Sequence, residues 1–325
     1  MPRFRNLEEV PARGPLDMLR WKLLDTVRGA RRGDRGIDRA FSAPRVDNDG
    51  SALRSADASL TWIGHATFVL RLSGLVIATD PIWSDTCGPT IRRRAAPGVR
   101  IEDLPPIDVV TISHAHYDHL DVPTLRRLAS HTQAVAGRAP LFLLPKEGAR
   151  YVRDLGPVIE REWWEHHDVR GPSGDVRFTF VPQQHWSMRT PFDRNAVLWG
   201  GWVMRGREGA AYHAGDTAYF PHFREIGERA GPIDWAMMPI GAYDPEWFMQ
   251  SQHIGPEDAG RAFVELGARN FVCMHWGTFK LTDEPLSEPP ERIARWWDAE
   301  GPGASERSRL WKLAIGETRP LAARA

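Results

Sequence analysis

Within the six-residue stretch His114-Ala-His116-Tyr-Asp118-His119, four side chains can bind a metal ion, and the stretch follows directly on the apolar run Val109 to Ser113. Imidazole nitrogen and carboxylate oxygen together suit borderline divalent ions: zinc first, with manganese or iron accepted by the same donors. Side chains two apart on an extended or tightly turned segment share a side. His114 and His116 can therefore grip one ion, leaving Asp118 and His119 for a second. The alternative is a polar turn without an ion, which would bury four such groups unpaired beside an apolar strand at considerable cost.

A site for two ions needs donors from more than one strand end, and three later segments offer them, each just after an apolar run. Val181-Pro-Gln-Gln-His185 supplies an imidazole, Ala214-Gly-Asp216-Thr217 a carboxylate placed to bridge two ions, and Val272-Cys-Met-His275 a last imidazole. Singly each is ordinary: a histidine after a strand is more often a hydrogen-bonded structural residue, and Gly-Asp-Thr is more often only a turn. Their joint order carries the weight. Two divalent ions about 3.5 to 4 Å apart lower the pKa of a shared water toward neutrality and polarise the electrophile. The chemistry expected is hydrolysis by a metal-bridging hydroxide, with no side-chain nucleophile.

Such donors must be held by strand ends. From Leu60 onward, short apolar runs alternate with turn signals: Leu60 to Ile63, Thr67 to Leu72, Leu75 to Thr79, Val109 to Ser113, Leu141 to Leu144 and Val176 to Val181. Further runs at Leu198 to Met204, Trp235 to Ile240, Asn270 to Met274 and Leu310 to Ile315 are separated by helical patterns at Val122 to Ser130, Pro256 to Leu266 and Pro289 to Asp298. This mixture predicts an α/β sandwich. The chain divides into an N-terminal extension, residues 1–57, and one hydrolase domain, residues 58–325. In the extension, Leu16 to Arg32 reads as a basic amphipathic helix, which either lies on an anionic membrane or packs one face on its own domain.

The 42 basic residues equal the 42 acidic ones, so the chain lacks the basic surface that a nucleic-acid binder needs, and no nucleic-acid partner is expected. The local exception is residues 1–36, with nine basic side chains against five acidic. Cys87 and Cys273 give no disulfide framework, no signal peptide is evident, and no stretch is apolar enough to span a bilayer. The expectation is a cytoplasmic protein, with peripheral contact at the inner face of the membrane as the variant that the basic helix allows.

His114, His116, Asp118 and His119 match the H-x-H-x-D-H signature and so resemble the metallo-β-lactamase superfamily, and they are joined by the stretches Gly64-His-Ala-Thr67, Asp80-Pro-Ile-Trp-Ser-Asp85, His114 to Asp121, Pro182-Gln-Gln-His-Trp186, Ala214 to Thr217 and His275-Trp-Gly-Thr-Phe279. Within it they are similar to the N-acylphosphatidylethanolamine-hydrolysing phospholipase D family, most diagnostically in Pro239-Ile-Gly-Ala-Tyr-Asp-Pro-Glu-Trp-Phe-Met-Gln-Ser-Gln-His253. The resemblance implies a four-layer αββα sandwich with a dinuclear site at one edge. It implies His114, His116 and His185 on one ion, Asp118, His119 and His275 on the other, and Asp216 between them. It also implies a lipid substrate, cleaved to phosphatidate and N-acylethanolamine. His253 falls where the family has a histidine near the reacting centre, suited to proton delivery or substrate orientation. Tyr117, Trp186, Tyr243, Trp247 and Phe248 are candidate substrate contacts or core, and His65 and Asp80 are candidate supports for the ligands. The rival expectations are a lactonase, esterase or phosphotriesterase with the same site, and a non-catalytic metal-binding or membrane-docking protein.

Overall fold

The structure, a computed structural model, describes residues 3–9, 14–24, 38, 41–55 and 57–322. One seven-stranded sheet runs in the order β16 (Thr318–Pro320), β1 (Ser59–Gly64), β2 (Thr67–Leu72), β3 (Leu75–Thr79), β6 (Val109–Thr111), β7 (Leu141–Pro145) and β8 (Val158–Arg161). The second runs β15 (Leu310–Trp311), β14 (Asn270–Met274), β13 (Trp235–Pro239), β12 (Gly209–His213), β11 (Gly201–Gly206), β10 (Gly174–Val181) and β9 (His166–Gly171). A small ribbon, β4 (Thr86–Cys87) with β5 (Ile91–Arg92), projects beside them. The two sheets share one plan: an antiparallel meander followed by parallel strands.

Period-two alternation separates the layers. Leu60, Trp62, Phe68, Leu70 and Ile77 join Phe178, Phe180, Trp202 and Met204 of the facing sheet in the central core. Their neighbours Ile63, Val69, Val76, Ala78 and Val110 face the other way, onto Leu125 and Leu128 of the helix Val122–Ala136. Outside the second sheet, Phe271 of β14 meets Phe263 of the helix Pro256–Glu265 and Trp297 of the helix Glu288–Ala299, with ring centres 5.5 and 6.3 Å away. Helix, sheet, sheet and helix stack as the αββα sandwich that the resemblance implied.

Several elements depart from the apolar pattern for identifiable reasons. β9 is an edge strand whose residues alternate between exposed and half-buried, so His-His-Asp-Val-Arg-Gly serves where an apolar run would not. β12, Gly-Ala-Ala-Tyr-His, has no β-branched residue, yet it is buried between β11 and β13. The run from Leu310 pairs with β14 only through Trp311. The chain then leaves the sheet, bridges Arg45 at Ile315 and re-enters the other sheet as β16. Of the amphipathic stretch Leu16 to Arg32, the described residues are helical through Leu24, and the remainder lies outside the described residues. No helix among the described residues is long and apolar enough to cross a membrane.

Candidate metal centre

Each candidate donor follows the carboxyl end of a strand: His114, His116, Asp118 and His119 after β6, His185 after β10, Asp216 after β12 and His275 after β14. Strand ends of α/β sheets are the usual place for a ligand crevice. Here the two sheets bring seven donors from four strands to one edge. The turn after β12 lies against the end of β6 because Gly215 has φ +63° and no Cβ; a Cβ there would sit 2.5 Å from that of Ser113. His65, Asp80 and His275 also hold positive φ, at 55°, 36° and 63°, a concentration of backbone strain typical of functional sites.

The donors form two groups, His114, His116, His185 and Asp216 in one and Asp118, His119 and His275 with His65 in the other, all buried except the half-buried His116. In the first, His116 Nδ1 lies 2.9 Å from His114 Nε2 and 3.2 Å from His185 Nε2. In the second, Asp118 Oδ2 lies 3.6 Å from His119 Nε2 and 3.5 Å from His275 Nε2. Asp216 touches both: Oδ1 is 3.1 Å from His275 Nε2, and Oδ2 is 3.2 Å from His119 Nε2, 3.7 Å from His185 Nε2 and 3.8 Å from His114 Nε2.

Hydrogen bonds behind the rings fix their tautomers. His185 Nδ1 faces the Gln252 carbonyl at 2.6 Å and His119 Nδ1 faces Asp80 Oδ2 at 2.7 Å; both partners only accept, so both Nδ1 atoms carry the proton. Ser113 Oγ donates to Asp80 Oδ2 at 2.5 Å and so accepts from His114 Nδ1 at 2.9 Å. In all three rings Nε2 is therefore the nitrogen that faces the site, carrying the lone pair whenever the ring is neutral. His119 Nε2, His275 Nε2 and Asp216 Oδ1 are buried without an aligned hydrogen-bond partner, although they lie close together. Convergent, unsatisfied donors around a shared carboxylate fit divalent cations.

The electrostatics agree. Burial pushes the imidazoles of His114 and His185 well below their ordinary value and that of His116 to about 4, leaving neutral rings that can offer a lone pair to a cation. Burial also tends to raise Asp118 and Asp216, but the surrounding imidazoles, His119 foremost, hold both carboxyls well below the usual range. His119 and His275 respond in kind. Burial opposes their charge, yet Asp216 and then Asp118 lift His119 well above the ordinary value and His275 to about 9. Without metal, protons supply the positive charge that the two carboxylates demand.

Asp80 underpins the arrangement by accepting from the Ser113 amide at 2.7 Å, the Ser113 hydroxyl and His119 Nδ1. Asp80→Asn should weaken metal affinity roughly 10- to 100-fold, because an amide cannot accept on both sides. Competitive titration against a chelator would measure this, and unchanged affinity would remove Asp80 from the support. His65 lies closer to the donors than a distant support would: its Nε2 is 3.0 Å from Asp118 Oδ2. Burial holds the ring neutral, at about 3, so Nε2–H donates to that carboxylate.

A cavity of about 200 Å³ opens onto both groups. Trp186, with its ring 4.7 Å from that of His116, and Phe248 form part of its wall. His253 lines it too, with Nδ1 3.9 Å from Asp216 Oδ2. Three other candidates lie elsewhere. Tyr117 donates its hydroxyl to the Arg189 carbonyl at 3.0 Å under that residue's guanidinium. Tyr243 bonds Glu288 at 2.8 Å and faces a separate polar recess. Trp247 packs behind Phe248, beneath Arg20. Met18, Trp21, Met249 and Leu281 complete the apolar wall; the first two, in the N-terminal extension, carried no sequence signal for such a role.

Residues 76–276 match the family model of the β-lactamase superfamily domain. A metallo hydrolase from the hyperthermophilic archaeon Ignicoccus hospitalis has the same fold, with a TM-score of 0.60 at 22% identity over 82% of this chain and 99% of that one. Fold and donor groups together define a metal-dependent hydrolase of the metallo-β-lactamase class. The N-acyl-phosphatidylethanolamine-hydrolyzing phospholipase D 1 of Caenorhabditis elegans is 35% identical over 252 residues, 74% of this chain and 69% of that protein. The mitochondrial enzyme of that name from Saccharomyces cerevisiae is 34% identical over 249 residues, 73% of this chain and 52% of the yeast protein. The chain belongs to the N-acylphosphatidylethanolamine-hydrolysing phospholipase D family.

Proposed function

We propose that this chain hydrolyses the phosphodiester of N-acylphosphatidylethanolamine, releasing phosphatidate and N-acylethanolamine. The observation that carries the reading is the pair of donor groups sharing Asp216 at the floor of a cavity with an apolar wall. The names of the Caenorhabditis and Saccharomyces relatives supply the substrate class. His114, His116 and His185 would hold one divalent ion, Asp118, His119 and His275 a second, and Asp216 would serve both, with zinc as the proposed metal. Bound at such a pair, the ions supply Lewis acidity toward the phosphoryl oxygens and bring the pKa of water toward neutrality.

The chain's own residues orient the substrate. Burial keeps the His253 imidazole neutral, at about 4, so at neutral pH it offers one N–H and one lone pair beside Asp216. That suits it to orienting a substrate oxygen more than to storing a proton. Trp186 and Phe248 give the cavity an apolar side. In the net reaction the P–O bond to the N-acylethanolamine breaks, and water supplies hydroxyl to phosphorus and a proton to the leaving alcohol. A cytoplasmic location with peripheral membrane contact belongs to the same reading. The free, buried thiols of Cys87 and Cys273 are in keeping with a reducing compartment.

The test is mass-spectrometric product analysis of metal-quantified protein given N-acylphosphatidylethanolamine in mixed micelles, beside lactones and phosphotriesters. Phosphatidate plus N-acylethanolamine, lost with a chelator and in His185→Ala, is the expected result. Turnover of lactones or phosphotriesters alone would reject the phosphodiester lipid and keep the hydrolase.

A further inference from the structure

The N-terminal arm lies outside the region that matches the superfamily model, yet it is fastened to the catalytic edge at two places. Asn6 Oδ1 accepts from the His185 amide at 3.1 Å and from Trp199 Nε1 at 2.8 Å, while Gln184 Nε2 donates to the Glu8 carbonyl at 3.2 Å. The arm is thereby tied to the loop that carries His185. The second fastening is Trp21, which is 4% exposed. Its Nε1 donates to Asp283 Oδ2 at 2.6 Å, and its ring packs on that of Phe248 at 5.1 Å.

We propose that this arm completes the active site, with Met18 and Trp21 as specificity-determining residues that form the wall along which the apolar part of the substrate lies. The inference takes the apolar nature of its ligand from the lipid reading above. Both side chains line the cavity that opens onto the donor groups, and Phe248, Met249 and Leu281 continue the same surface. At about 200 Å³ the cavity falls below the roughly 300 to 1,000 Å³ that encloses even a drug-sized ligand. It can house the reacting centre, but the rest of a long chain has to leave along a wall. Leu16, Leu19 and Leu23 of the same segment, 81%, 50% and 55% exposed, fall on the helix side opposite Met18 and Trp21 and form no part of this wall.

Two variants and two readouts test this. Trp21→Ala removes the ring, and Met18→Glu places a charge in the wall at a position already 44% exposed, where folding is little affected. Each is assayed on hexadecanoyl and butanoyl members of whichever substrate class the metal-loaded chain hydrolyses. The expected result is a KM about tenfold higher for the long chain, with kcat within about twofold and the short-chain KM unchanged. Equal changes for both chain lengths, or none, would overturn the proposal. The second readout needs no turnover: a hexadecylphosphocholine brominated in its chain should quench the tryptophan fluorescence of the full chain more than that of Trp21→Phe. Equal quenching in the two proteins refutes the wall even if N-acylphosphatidylethanolamine is hydrolysed. A quenching difference without hydrolysis of that lipid retains the wall and rejects the lipid substrate.

Discussion

An Asp216→Asn chain is expected to lose both ions together and, with them, kcat by on the order of 10³- to 10⁴-fold, since bound ions supply several kcal/mol of transition-state stabilisation and each 1.36 kcal/mol is a factor of ten. The reason is geometric. Asp216 is the carboxylate with one oxygen 3.1 Å from His275 and the other within 3.2 to 3.8 Å of His119, His185 and His114. An asparagine of the same shape keeps the packing but gives up the charge, and its amide nitrogen has no lone pair to offer. His185→Ala touches only the first group and should leave the second ion in place. The discriminating measurement is metal content per chain after dialysis, with circular dichroism to confirm the fold. An Asp216→Asn chain that kept one ion at wild-type affinity would show that the two groups are independent.

Much of this site was legible in the sequence because metal chemistry restricts both residue type and position. His114 to His119 announced itself by density, and His185 and His275 by following apolar runs that became β10 and β14; the strand before Asp216, β12, was missed because Gly-Ala-Ala-Tyr-His has no β-branched residue. The layers were legible only through the resemblance, because β1 to β3 are buried on both faces and read as apolar runs that do not say which residue enters which core. Orientation beyond the backbone was not legible. Tyr117 and Tyr243 sit in the right segments, yet their hydroxyls turn away to Arg189 and Glu288, a choice made by partners far along the chain. Least legible was the arm. Nothing local to Asn6 or Trp21 foretells contacts with His185 and Asp283, 179 and 262 residues further on, because such a return depends on where the finished sandwich leaves an opening.

Loading the metal-free chain with zinc at pH 7.5 should release about two protons from imidazoles, a number set by which rings are charged beforehand, and up to about one more from metal-bound water. His119, raised well above its ordinary value, and His275, raised to about 9, both hold a proton there because Asp216 and Asp118 outweigh the cost of burial. Both Nε2 atoms face the carboxylates where an ion would bind, so each proton must leave. His114, His116 and His185 are already neutral and contribute none, which separates an expectation of two from one of five. Calorimetric titration in buffers of different ionisation enthalpy counts the protons directly, and a count of about one or fewer would refute the charged pair. Apparent affinity should accordingly rise by about two to three logarithmic units per pH unit, with the slope falling as pH passes 9. The same raised pKa carries a stability signature of definite sign. His275 stabilises the metal-free fold fully below about 6.5, its unfolded value, and progressively less as pH rises through about 9. Between those limits the Tm of the metal-free chain should fall, whereas the loaded chain, in which ions have replaced the protons, should show no such decline.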